Sequence, residues 1–134
     1  DQKYLDMAEK IYNFIFNNPN LPEDLVPYWD FDAPNIPNEP RDVSAAACTA
    51  SALYELSTYI PGKNYKETAD KIMENLASPA YRAEVGTNGN FILMHSVGSI
   101  PHGAEIDVPL NYADYYFLEG IMRKRDLESN KKLF

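Results

Sequence analysis

Cysteine is almost absent, and its scarcity settles the redox question first. Cys48 stands alone, so the chain has neither an internal disulfide nor a thiolate metal cluster. Set among the alanines from Ala45 to Ala52, it reads as a small core residue. Positive charge is also scarce: 12 Lys and Arg stand against 20 Asp and Glu, a net charge of −8. Nucleic acid is excluded as a partner, because a phosphate track needs clustered cations to displace counterions. The one basic cluster, Lys124, Arg125, Lys131 and Lys132, lies near the C-terminus, where cations complement a helix dipole. Apolar runs long enough to cross a membrane, about 18 residues, are missing too, and so is a signal-peptide pattern. The chain starts at Asp1 rather than Met, so the lack of a leader leaves the compartment open.

What is present is a globular composition. A 45% hydrophobic content over 134 residues supports a single core. Tyr4, Met7 or Ala8, Ile11 and Phe14 with Ile15 recur at steps of three and four, which predicts an amphipathic helix over residues 3–17 with that face buried. Asn17-Asn18-Pro19-Asn20 ends it. Six prolines between Pro19 and Pro40 keep the next stretch out of helix, leaving a long loop that carries Tyr28-Trp29-Asp30-Phe31-Asp32. A second helix starts after Asp42 or Ser44, either of which can cap it, and runs to about Tyr59; its many small residues mark an inner helix. A third helix covers 65–76, with Tyr65, Ala69, Ile72, Met73 and Leu76 inward. Phe91 to Met94 is a strand or an extended buried segment. A polar loop follows to Asp107-Val108-Pro109, read as cap and first-turn proline of a fourth helix over about 110–124. The predicted class is all-α, four helices joined by two elaborate loops.

Two sets of residues could carry chemistry. Asp30 with Asp32, and Glu105 with Asp107, are carboxylates two apart, the groups a glycosidase uses as acid and base, although such pairs also serve as caps and loop ties. His95, Ser96, Ser99 and His102 fall within eight residues at the end of an apolar segment, which delivers neutral donors and acceptors to a pocket rim. The same residues could instead hold a loop through bonds to its backbone. The His95–His102 spacing is not a familiar metal-ligand pattern, and Val97-Gly98-Ser99-Ile100-Pro101 lacks the strained turn of a G-x-S-x-G nucleophile. Neither a metal nor a cofactor is expected. Tyr112, Tyr115, Tyr116 and Phe117 read as core rather than as a sugar platform.

Three segments together resemble the C-terminal part of the unsaturated glucuronyl hydrolases, bacterial enzymes that degrade unsaturated disaccharides left by polysaccharide lyases. They are Val26-Pro-Tyr-Trp-Asp-Phe-Asp-Ala-Pro34, Arg41-Asp-Val-Ser-Ala-Ala-Ala47 and Phe91 to Met122, the last including Tyr112-Ala-Asp-Tyr-Tyr-Phe-Leu-Glu119. The resemblance implies a fold of six α-hairpins closed into a toroid. It implies water addition across the C4–C5 double bond of an unsaturated uronic acid, followed by release of the neighbouring sugar. It places His95 at the uronate site, and Ser96 and Ser99 at the spaced serines that contact substrate in some members. Those members follow the serines with a lysine where this chain has Pro101. The family's catalytic aspartates come from an earlier region that has no match here, so no residue of this chain is assigned to catalysis.

A closed toroid takes twelve helices, and four are legible. Residues 1–134 therefore read as one partial domain whose unpartnered apolar surface calls for a second copy or for contact with an upstream region. The expected partner is an unsaturated uronic-acid oligosaccharide, and the expected compartment the periplasm or cytoplasm of a bacterium. Two rivals stand beside this reading: a complete enzyme using Asp30 or Asp32 with Glu105, and a small helical carbohydrate-binding or interaction module without catalysis.

Overall fold

The computed structural model describes residues 1–129, 131 and 133. Four helices carry the fold: α1 (Gln2–Phe16), α2 (Val43–Tyr59), α3 (Tyr65–Leu76) and α4 (Asn111–Glu128). The central one is α2. Its Ala46, Ala47, Ala50 and Tyr54 are buried, and the short side chains let α3 and α4 lie close against it. Ile72 and Leu76 from α3 and Phe117 from α4 complete the core, each worth about 1.5–3 kcal/mol when removed from water. Asp42 caps α2 as expected, its Oδ1 accepting the Ser44 amide at 3.0 Å. That satisfies one of the N–H groups a helix start leaves open.

The first helix departs from its predicted orientation. Tyr4, Met7, Ile11 and Phe14 are more than half exposed, whereas Leu5, Ala8, Tyr12 and Phe16 pack toward the core. Two apolar stripes run along α1, offset by one residue and so by about 100°. Periodicity detects both stripes without saying which is covered. The inner stripe is fixed by Tyr12 edge-on to Tyr65, with ring centroids 4.8 Å apart, and by Glu9, which accepts from Tyr65 Oη at 2.9 Å and Lys63 Nζ at 2.8 Å. Between α1 and α2 lies an apolar groove of about 460 Å³, with Cys48 on its wall. Cys48 is exposed, not the core residue its alanine setting indicated, because α1 does not close down over that turn of α2.

The long loop from Asn17 to Arg41 is tied at several points. Trp29 Nε1 donates to Glu39 at 2.8 Å, the Trp29 amide donates to the Pro40 carbonyl, and the Ile36–Pro37 bond is cis. Residues 91–94 are extended, with fully buried Leu93 bridging to Arg82. The Asp114 carboxylate, in the first turn of α4, accepts the amides of Ile92 and Leu93 at 2.8 and 2.9 Å.

The segment read as a polar loop is a β-hairpin, β1 (Ser96–Ser99) antiparallel to β2 (Ala104–Val108). Gly103 turns it at φ +62, in the left-handed region open to glycine. Consequently Asp107 is not a helix cap. It sits within β2, and Leu110 occupies the cap position of α4 without a side-chain bond. Among the C-terminal cations, Lys124 pairs with Asp70 at 2.9 Å and Arg125 lies in the last turn of α4. Lys132 is outside the described residues. Among the described residues no helix is long and apolar enough to cross a membrane.

Candidate functional site

The hairpin is seated on the N-terminus of α2. The Val43 amide donates to the His95 carbonyl at 3.2 Å, and the Val97 amide donates to Asp42 Oδ1 at 3.3 Å, so one carboxylate caps the helix and anchors the strand. This seat fixes where His95, Ser96, Ser99 and His102 stand.

His95 is partly exposed, with its Nδ1 2.6 Å from Asp107 Oδ1. Its backbone has φ +67, an unusual conformation for a residue with a side chain. The ring meets Tyr81 edge to face, with centroids 6.4 Å apart. Tyr81 in turn donates to Asp24 Oδ2 at 2.6 Å, and Arg41 Nη2 reaches both Asp24 oxygens at 2.6 and 2.7 Å. Burial, reinforced by the Asp24 carboxylate, pushes the Tyr81 hydroxyl up to about 12, against a smaller opposing pull from Arg41. A neutral phenol thus links the His95 ring to a half-buried ion pair.

Ser99 and His102, predicted only as neighbours on one loop, are brought into direct contact, with Oγ and Nδ1 2.6 Å apart. Ser96 differs from both. It is fully enclosed, and its Oγ finds no hydrogen-bond partner among the described residues. Of the four, His95, Ser99 and His102 are accessible on the hairpin. Tyr112, predicted as core, is 41% exposed in the first turn of α4. Its hydroxyl is raised by burial and then by the nearby Asp42 and Glu105 carboxylates, and it contacts Ser44. Phe117 is buried as expected, and Tyr115 is exposed.

The two carboxylate pairs are separately engaged. Asp30 Oδ1 accepts the Asp32 amide at 2.8 Å in a local turn. Asp107 is committed to His95, and Glu105 lies across Gly98, where an added Cβ would run into the Glu105 carboxylate. Among the described residues no group of three His, Cys, Asp or Glu side chains is placed to hold a metal ion. Sequence reasoning missed the His95–Asp107 pair. The His102-Gly103 turn between Val97 and Ile106 was the signal that could have indicated a hairpin and set the two residues opposite each other.

No family model matches the chain. An unsaturated glucuronyl hydrolase of Formosa agariphila is 50% identical over 93% of this chain and 31% of its own length. A solved unsaturated glucuronyl hydrolase specific for heparin superposes with a TM-score of 0.93 at 48% identity, covering 96% of this chain and 35% of that one. A mutant unsaturated glucuronyl hydrolase of Streptococcus agalactiae, complexed with dGlcA-GalNAc6S, matches with a TM-score of 0.71 at 30% identity, over 81% of this chain and 30% of its own. The chain spans about a third of the length of the relatives it matches, and its four helices have the α/α-toroid fold of the matching region. By sequence and by fold, the chain corresponds to about a third of an unsaturated glucuronyl hydrolase, and the named sources of these relatives are bacteria.

Proposed function

We propose that this chain is the C-terminal portion of a hydrolase acting on unsaturated uronyl disaccharides by hydration of the C4–C5 double bond. It supplies one edge of the sugar pocket, and the proton-transfer aspartates come from outside it. His95 and Ser99 face the sugar, and Ser96, enclosed next to His95 in the chain, completes the set. The observation that carries the reading is the near-complete correspondence of this chain to the heparin-specific hydrolase, combined with a hairpin that gathers His95, Ser99 and His102. Imidazole and hydroxyl groups suit sugar hydroxyls, with no long flexible stem to order on binding. The complex of the Streptococcus agalactiae relative with an unsaturated disaccharide supports the ligand class.

The test is to titrate the 134-residue chain with an unsaturated glucuronyl disaccharide and follow backbone and imidazole resonances. Saturable shifts confined to residues 95–108 and Tyr112 support the reading. Saturable shifts centred elsewhere, or none, refute it. Binding at the hairpin that never leads to turnover, even with the remaining family sequence restored, would favour a carbohydrate-binding module without catalysis.

A further inference from the structure

The hairpin is irregular at one place. Ser96 pairs with Val108 and Val97 with Ile106, so Asp107 is an extra residue on β2 with no partner on β1. A bulge of this kind breaks the alternation of side chains and re-aims the inserted one. Asp107 takes φ +54 and His95 φ +67, so both backbones sit in the left-handed region that side chains disfavour. The outcome is a 2.6 Å contact between Asp107 Oδ1 and His95 Nδ1. The pair is open to solvent, His95 by 41% and Asp107 by 58%, and exposed ion pairs contribute little to stability. The bulge and its two disfavoured conformations thus maintain a contact that the fold does not need for its strength.

From this geometry we infer that Asp107 is a positioning residue that fixes the protonation pattern of His95, and through it the kind of sugar group His95 binds. An ionised carboxylate only accepts hydrogen bonds, and at 2.6 Å it cannot face a lone pair on nitrogen, so Nδ1 carries the proton. Whenever the ring is neutral, Nε2 is then its acceptor. An acceptor takes a hydrogen from a sugar hydroxyl and repels a carboxylate or sulfate oxygen. The inference rests on the reading of the hairpin as a sugar-pocket edge and sharpens it: His95 reads a ring hydroxyl, while the carboxylate of the uronic acid is bound by other groups.

Two readouts separate this inference from the reading beneath it. Nitrogen-15 spectra of the 134-residue chain at alkaline pH, where imidazole is neutral, give the tautomer directly. The expected signature is a protonated Nδ1 and an unprotonated Nε2 in the wild type. In Asp107→Ala that signature gives way to the Nε2–H form, and unsaturated glucuronyl disaccharide binds about three- to tenfold more weakly, the equivalent of one neutral hydrogen bond. Asp107→Asn covers the case in which the alanine variant loses its dispersed backbone spectrum, because an amide of the same shape permits both tautomers and should yield a mixture. A wild-type spectrum showing the Nε2–H form overturns the inference, as does an unchanged signature in a folded Asp107→Ala. If instead the wild-type tautomer is as stated but the disaccharide leaves the hairpin resonances unmoved, it is the pocket reading that fails.

Discussion

Replacing Asp24 by Ala removes the most connected carboxylate beneath the hairpin. Asp24 accepts from Arg41 at 2.6 and 2.7 Å, from Tyr81 at 2.6 Å and from the Val26 amide at 3.1 Å. The Arg41 side chain, 22% exposed and stacked on the Tyr28 ring at 4.9 Å, would keep its charge without a counter-ion. Breaking a fully buried pair by deleting one partner costs about 3–5 kcal/mol. Because a third of the Asp24 side chain is exposed, solvent recovers part of that cost, and a loss of about 2–3 kcal/mol is expected. For a domain of this size the melting temperature falls by roughly 6–15 °C. Asp24→Asn, whose single amide oxygen keeps an acceptor for the Val26 amide, should lose about 1 kcal/mol less. Urea and thermal unfolding followed by circular dichroism give both values. An alanine variant within about 0.5 kcal/mol of the wild type would show that the Asp24–Arg41–Tyr81 network does not hold the loop and hairpin together.

Three further outcomes follow from particular contacts. Gly98→Ala should destabilise the hairpin by about 1–3 kcal/mol, because the new Cβ runs into the Glu105 carboxylate and meets the Glu105 Cβ at 2.8 Å; faster amide exchange at residues 96–108 reports it, and Glu105→Gly in the same chain should restore protection. Asp70 lies below the ordinary carboxylate range despite the opposing effect of burial, because Lys66, Lys124 and Tyr54 all bond to it. Its contribution is therefore complete above the usual aspartate value near ~4 and is lost as pH falls through the lower folded value; Asp70→Asn should be less stable than wild type at neutral pH, with the gap narrowing below about pH 4 in urea melts. Met7→Ser, on the exposed stripe of α1, should leave unfolding within about 0.5 kcal/mol of wild type while lowering self-association in sedimentation runs, and an unchanged association constant would remove that stripe as a contact surface.

The helices were legible because their determinants are local. Asp42 supplies a cap, prolines close off the long loop, and the inward residues of α3 fall at helical spacing. The errors share a different cause. The covered stripe of α1 is chosen by Tyr65 and Glu9 contacts that local periodicity does not contain, and Cys48 is exposed because of where α1 rests, not because of its own neighbours. The hairpin escaped notice because its strands are short and its alternation is broken at Asp107, the residue that makes the site distinctive. His95, Ser99 and His102 stand out by their spacing after an apolar segment, the resemblance adds a place at the sugar for the first two, and chain geometry joins His95 to Asp107 and Ser99 to His102.

The central claim, that this chain furnishes a sugar-binding edge and no proton-transfer machinery, is tested most directly by turnover. The purified 134-residue chain is incubated with an unsaturated glucuronyl disaccharide, and the ultraviolet absorbance of the conjugated double bond is followed. The account predicts a flat trace from the chain alone and a declining one once the remaining family sequence is joined to it. A steady decline with the chain alone, abolished by replacing Asp30, Asp32 or Glu105, would contradict the claim and place the catalytic carboxylates within these residues.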